Sequence, residues 1–400
     1  MKILKECIAI IALAAAALPA AAQETTGQRF ERLMRDILIV DTHIDTPLYV
    51  VDEGYQLGEE HSYYEFDIPR AQRGHLGAVF FGIYTHLPEF PPELWIPRAL
   101  EAVDAVYGEV RRNAGTIEIA GTADDITRIH RARKIAVLLG LEGGHIIRDS
   151  LPVLRDFYRL GVRYMTLTHF KTNNWADSGT DAAVHNGLSP FGRDVVREMN
   201  RLGMMIDISH VSDKTFYDVL ETTRAPVIAS HSSARALCNI SRNMNDDMLR
   251  AIKRNGGAVF VNFNAAYLDQ KAYEIFDGYR DQRNSEISEL MRLHAGDPRR
   301  WEMKRAIQQR YRSRLPKVDV KAALRHIDHI AKVAGPDHVG IGSDFDGVSG
   351  MVPAGLEDVS KFPELVRGLI ELGYSDSDIR KIMGENLLRI MRANEAAAEK

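Results

Sequence analysis

Six short apolar runs in this 400-residue chain end in a histidine or a carboxylate. His43 and Asp45 close the first run, Glu142 a later one, and His169, His210 and His231 three more; Asp344 and Asp346 close the last. Residues two apart in an extended strand point to the same side, so His43 and Asp45 can act together. A single histidine at the end of an apolar strand is more often a hydrogen-bonded structural residue than a ligand. Four imidazoles and several carboxylates at matching ends are another matter, because burying ionisable groups is costly unless cations or mutual pairing compensate. Structural ion pairs would call for Arg or Lys at the same ends, and only Arg163 and Lys171 lie near. A metal is the better answer. Imidazole with carboxylate suits zinc, with other transition metals open. His43, Asp45, Glu142, His210 and His231 are too many ligands for one four-coordinate zinc. Two ions sharing Glu142 as a bridge would use all five and leave room for a bridging water.

For these residues to meet, the elements that carry them must end on one face. The apolar runs span 37–45, 77–85, 135–143, 164–169, 203–210, 225–232, 257–264 and 338–347. Most are nearly continuous in Val, Ile, Leu, Met and Phe, as expected of parallel strands buried on both sides. Helix-like segments such as 150–160, 190–202, 212–223 and 245–255 separate them. Asp149 or Ser150 can cap the first of these, and Gly161 or Gly203 can end a helix. Eight β–α repeats point to an α/β chain folded as one (β/α)8 TIM-type barrel, whose C-terminal strand ends gather in one mouth. An open nucleotide-binding sheet would carry a glycine-rich loop after its first strand, where this chain has Thr46-Pro47-Leu48-Tyr49. Residues 268–318, before the eighth strand, form a long, charged, helix-like insertion that serves either as a solvated excursion or as a lid.

The first 22 residues differ from the rest. Lys2 and Lys5 precede an apolar run over 8–18, and Ala20, Ala21 and Ala22 offer a small-residue cleavage site, the pattern of a secretory signal. That run is short of the ~20 residues needed to span a bilayer. The expectation is an exported chain, periplasmic or extracellular, with a single domain over 23–400. Cys7 leaves with the signal, so Cys238 remains alone and no internal disulfide can form. Cys7 also precedes the apolar core, out of place for lipid attachment, so no membrane anchor is expected in the mature chain. A composition 45% hydrophobic can fill a large core, and a net charge of −4 without a basic patch speaks against a nucleic-acid partner. The remaining histidines are assigned outside the centre. His130, His326 and His329 lie in helix-like segments, the last two reading as an exposed pair without a carboxylate partner; His61, His185 and His294 lie in loops. His145 either lines the mouth or stabilises a loop.

Several separated motifs, in order, resemble the membrane (renal) dipeptidase family of zinc metallopeptidases. They are His43-Ile44-Asp45, Glu142-Gly143-Gly144-His145, Leu167-Thr168-His169, Asp207-Ile208-Ser209-His210, Ser230-His231-Ser232-Ser233 and Ser343-Asp344-Phe345-Asp346-Gly347. Gly355-Leu356-Glu357-Asp358-Val359 and Glu385-Asn386-Leu387-Leu388-Arg389 extend the likeness, which covers about residues 37–390. The resemblance implies hydrolysis of dipeptides, including those with a C-terminal D-residue, by a hydroxide bridging two zinc ions. It places one ion on His43, Asp45 and Glu142 and the other on Glu142, His210 and His231. It makes His169 the group that polarises the carbonyl, Asp344 the acid/base, Arg242 the anchor of the substrate carboxylate, and Tyr267 a further substrate contact. Animal members carry a lipid anchor and disulfides that this sequence lacks, so their membrane attachment and covalent pairing do not carry over; a homodimer stays open.

The nearest alternative is another binuclear barrel amidohydrolase, acting on a lactone, amide or phosphotriester. Such enzymes commonly bridge their metals with a carboxylated lysine near the fourth strand. Lys171 is close to that place, but Glu142 already supplies a bridge. A noncatalytic zinc- or peptide-binding protein would need the ligands but no proton carrier such as Asp344.

Overall fold

The computed structural model describes residues 24–85 and 90–399; the expected signal at 1–22 lies outside them. Nine parallel strands form the sheet: β1 (Ile39–Ile44), β2 (Leu76–Tyr84), β3 (Ile117–Ile119), β4 (Ile135–Glu142), β5 (Val162–Thr166), β6 (Met205–Asp207), β7 (Ile228–Ala229), β8 (Ala258–Val261) and β9 (Val339–Ile341). Neighbours follow the order β2, β1, β9, β8, β7, β6, β5, β4, and a β2–β4 pairing closes the ring into an eight-stranded barrel. The barrel is the expected one. β3 was not anticipated: its three residues are too few to show a period. It pairs with Ile135–Val137 at the start of β4, before β5 joins at Leu139.

Alternation along the strands divides the core. Ala78 and Phe80 of β2 and Ala136 and Leu138 of β4 fill the barrel with Tyr164, Met205 and Phe260. Their neighbours Val79, Phe81, Val137 and Leu139 face the helices. The helices form where their punctuation predicts. Ser150 caps Leu151–Arg159, Ser189 caps Pro190–Leu202, Ser212 caps Asp213–Thr222 and Asn245 caps Asp246–Asn255, each accepting a backbone N–H. Gly203, at φ 77°, ends the second of these in the left-handed conformation that glycine adopts without strain.

The strands are shorter than the apolar runs. β7 keeps only two residues of the run 225–232, because the chain bends out of the ladder before His231. The insertion is helical, with Gln270–Leu293 and Arg300–Arg312. Phe276, Tyr279, Ile307 and Tyr311 of those helices are buried against Cys238, Tyr267 and Met351, so the insertion buttresses the segment that carries Tyr267.

One histidine expectation fails. His326, on helix Val320–Ala334, is fully buried. Its Nδ1 accepts from the Ala234 N–H at 3.0 Å and its Nε2 donates to the Leu268 carbonyl at 3.1 Å. His329 has a carboxylate partner after all, Asp246 at 2.8 Å. Spacing alone could not show that loops from two other strands would cover this helix.

Candidate metal centre

β1 delivers His43, and Asp45 follows one residue past it; Glu142 is the last residue of β4. His169, His210, His231 and Asp344 lie two or three residues beyond β5, β6, β7 and β9, on the face where active sites of this fold are built. His210 (φ 66°) and Asp344 (φ 60°) hold left-handed backbone, costly for residues with a Cβ and common where a site demands it. Gly82 on β2 keeps the approach clear: a Cβ there would lie 2.5 Å from Asp45 Oδ1 and 3.1 Å from His43 Nε2.

Glu142 sits at the middle. Its Oε1 lies 3.1 Å from His210 Nε2, 3.3 Å from His231 Nε2 and 3.7 Å from His169 Nε2. Its Oε2 faces the other way, 3.6 Å from His43 Nε2, which is in turn 3.2 Å from Asp45 Oδ1. Ligand atoms of His43, Glu142 and His231 lie within 4.8 Å of one another, as do those of Glu142, His169 and His210, and those of His43, Asp45 and Asp344. All of these residues are buried except Asp344, which is part-exposed.

Protons alone do not satisfy this cluster. Burial would raise the Glu142 carboxyl, but the His169 and His43 charges and the close His210 and His231 rings hold it well below the usual range. Burial, then Arg242, keeps His210 well below its ordinary value; burial, then His43, does the same for His231. Burial works against a charged His43, yet Tyr164, Glu142 and Asp45 raise it well above the usual value. Neutral imidazoles with converging ring nitrogens, 2.9 Å apart for His210 and His231, present lone pairs rather than donors. His43 Nε2, Asp45 Oδ1 and His210 Nδ1 are buried without a hydrogen-bond partner. This donor set fits divalent cations.

Around it lie the other expected residues. Asp344 Oδ2 accepts from Asn262 Nδ2 at 2.8 Å. Burial, then the Asp45 charge, pushes its carboxyl up to about 8, a shift that a bound cation would reverse. His169 packs against Phe170 and edge-on to His210, with ring centroids 4.4 and 4.7 Å away. Arg242 is buried and donates one hydrogen bond, to the His231 carbonyl at 3.2 Å, while Nε and Nη1 have no partner. Its guanidinium carbon stands 5.7 Å from the Tyr267 ring centroid.

Some residues turn elsewhere. Asp346, two residues from Asp344, accepts from the Thr46 hydroxyl and the Glu65 N–H, and its own N–H donates to Glu65; it braces a loop. His145 pairs with the Thr85 hydroxyl at 2.9 Å and meets the Trp95 ring edge-on. Lys171 is exposed and paired with Asp181 at 3.3 Å, which removes it as a metal bridge, and Arg163 binds the Gly121 carbonyl. Inspection of strand ends missed Asn262, though its Asn262-Phe263-Asn264 alternation was a signal. It also missed Asp207 and Ser230 behind His231. Ser230 Oγ donates to Asp207 at 2.6 Å and accepts from His231 Nδ1 at 2.8 Å, leaving His231 Nε2 bare.

The chain matches the membrane dipeptidase family (peptidase family M19) over residues 27–400. It belongs to that family. Dipeptidase tcpJ of Claviceps purpurea (strain 20.1) is 37% identical over 340 residues, 83% of this chain and 70% of that protein. The probable dipeptidase PvdM of Pseudomonas aeruginosa has a similar structure, with TM-score 0.80 and 29% identity over 93% of this chain and 99% of the other. A Rhodobacter sphaeroides metallopeptidase liganded with a phosphinate mimic of the dipeptide L-Ala-D-Ala matches with TM-score 0.73 and 26% identity, over 90% and 99%. This dipeptidase is thus a hydrolase of the metallopeptidase kind, and no helix among its described residues is long and apolar enough to cross a membrane.

Proposed function

We propose that this dipeptidase works with two zinc ions, one held by His43, Asp45 and Glu142 and the other by Glu142, His210 and His231. The observation that carries this reading is the placement of the two Glu142 oxygens, each facing a different set of imidazoles. When bound, such a pair supplies the positive charge that brings the pKa of a water in the site down toward neutrality.

The protein's residues do the rest. Asp344, held by the Asn262 amide, takes the proton of the attacking water and passes it to the leaving amine. His169 donates a hydrogen bond to the carbonyl oxygen as negative charge grows there. Arg242 grips the free carboxylate of the substrate with its guanidinium, on which the fold leaves donors unused. The Tyr267 ring backs that guanidinium. An anchor so close to the centre limits the substrate to two residues. A C-terminal D-residue is accepted in this reading, which the L-Ala-D-Ala mimic in the Rhodobacter sphaeroides relative supports. The chain acts after export, once residues 1–22 are removed; the N-terminal sequence of secreted protein checks that point.

Metal analysis with turnover of L,L and L,D dipeptides, dipeptide amides and tripeptides tests the function. We expect two zinc ions per chain and turnover confined to free dipeptides. One ion sufficing for full activity, or equal cleavage of amides and tripeptides, would overturn the reading.

A further inference from the structure

Tyr164 has no part in the chemistry above, yet its phenol ends beneath the metal centre. The residue is fully buried inside the barrel, and its oxygen lies 2.7 Å from His43 Nδ1. The same hydroxyl donates to the Thr42 carbonyl at 3.1 Å. With its proton directed at Thr42, the oxygen is an acceptor toward His43. That puts a ring proton on Nδ1 and turns Nε2 toward Asp45 Oδ1 and Glu142 Oε2, where a metal ion would take the place of a second proton. Nε2 is also one of the buried atoms without a hydrogen-bond partner.

The barrel is shaped to admit this ring. A Cβ on Gly140 of β4 would lie 2.0 Å from the ring carbon that bears the hydroxyl and 2.4 Å from the oxygen itself. The Phe80 ring closes the space, its centroid 5.1 Å away. Any larger residue at 140 would push the phenol away from His43.

We infer that Tyr164 is a positioning residue, its hydroxyl locking His43 in the tautomer and orientation that offer Nε2 to a metal ion. The inference rests on His43 being a ligand, as proposed above. Tyr164 does for His43 what Ser230 and Asp207 do for His231. A partner on the second ring nitrogen typically governs metal affinity 10–100-fold.

Zinc affinities by chelator competition and the visible spectrum of the cobalt-substituted enzyme test this on the whole protein. In Tyr164→Phe, which removes one oxygen, affinity for one of the two ions should fall about 10–100-fold and the cobalt bands of that site should shift. Phe80→Leu, a change in packing alone, should keep both affinities. Unchanged affinity and spectrum in Tyr164→Phe overturn the inference, and an equal loss in Phe80→Leu overturns it in favour of simple packing. If Tyr164→Phe does not fold, Gly140→Ala displaces the ring by contact and should weaken the same ion; full affinity there also overturns it. His43→Ala separates the two proposals: if it keeps both ions, the ligand assignment itself is wrong.

Discussion

Arg242 is the proposed anchor of the substrate carboxylate. A buried guanidinium with two donor nitrogens unpaired is unfavourable in the free enzyme, and a carboxylate presented in its plane would relieve part of that cost. Arg242→Ala should therefore lower kcat/KM for free dipeptides by about 100-fold or more while leaving zinc content unchanged. Arg242→Lys should recover little, since an ammonium cannot form two parallel bonds to one carboxylate. Steady-state kinetics beside metal analysis check both; a parallel loss of zinc would show that Arg242 supports the metal site instead. Asp344→Asn should keep both metals and lose about 100- to 10,000-fold in kcat, the range of a removed general acid/base. Full activity in that variant would remove Asp344 from the mechanism.

At the scale of elements, His326 ties helix Val320–Ala334 to the loops after β7 and β8. It does so only as a neutral ring, with Nδ1 accepting and Nε2 donating, and burial holds its pKa down to about 4. Unfolded, the same imidazole takes a proton below about 6.5, so between 4 and 6.5 the unfolded chain binds more protons. The contribution is complete above pH 6.5 and is lost as pH falls toward 4, amounting at most to roughly 3 kcal/mol. His326→Leu should remove this part of the acid slope and cost about 1–3 kcal/mol at neutral pH by orphaning the Ala234 N–H and Leu268 carbonyl. Denaturant unfolding at pH 5 and 7.5 reads both effects. An unaltered slope in the variant would place the acid sensitivity elsewhere.

For the molecule as a whole, the centre concentrates Asp45, Glu142 and Asp344 with four imidazoles where six strands end. Without cations the carboxylates repel one another across a buried space; with them the same groups join the strand ends. The cluster forms only in the folded chain, so zinc bound there at about 1,000 times its Kd should add roughly 4 kcal/mol to stability. Chelation should lower Tm and zinc should restore it. His210→Ala should lose chiefly one ion and keep part of that response, whereas Glu142→Ala should disturb both ions and abolish it. A zinc-independent Tm in the native protein would argue against cations as the partners of this cluster.

The barrel and its centre were legible because both depend on local pattern. Continuous apolar runs mark strands buried on two faces, and a polar residue closing each run is conspicuous within a few positions. His43, Asp45, Glu142, His169, His210, His231 and Asp344 were all singled out that way, and the fold brings them together. Arg242 and Tyr267 were not: one lies in a loop and the other in the short helix Ala265–Leu268, and only the family resemblance singled them out before burial and missing partners distinguished Arg242. Tertiary contacts decided what pattern cannot encode. Asp344 and Asp346 look alike in sequence, but Glu65 claims the second. His326 looks like a surface residue until Ala234 and Leu268 cover it. Tyr164 reads as one more apolar strand residue, and its partner His43 lies 121 positions away. Periodicity tells which side of a strand a residue faces; what it meets there depends on how closing the barrel brings distant segments together.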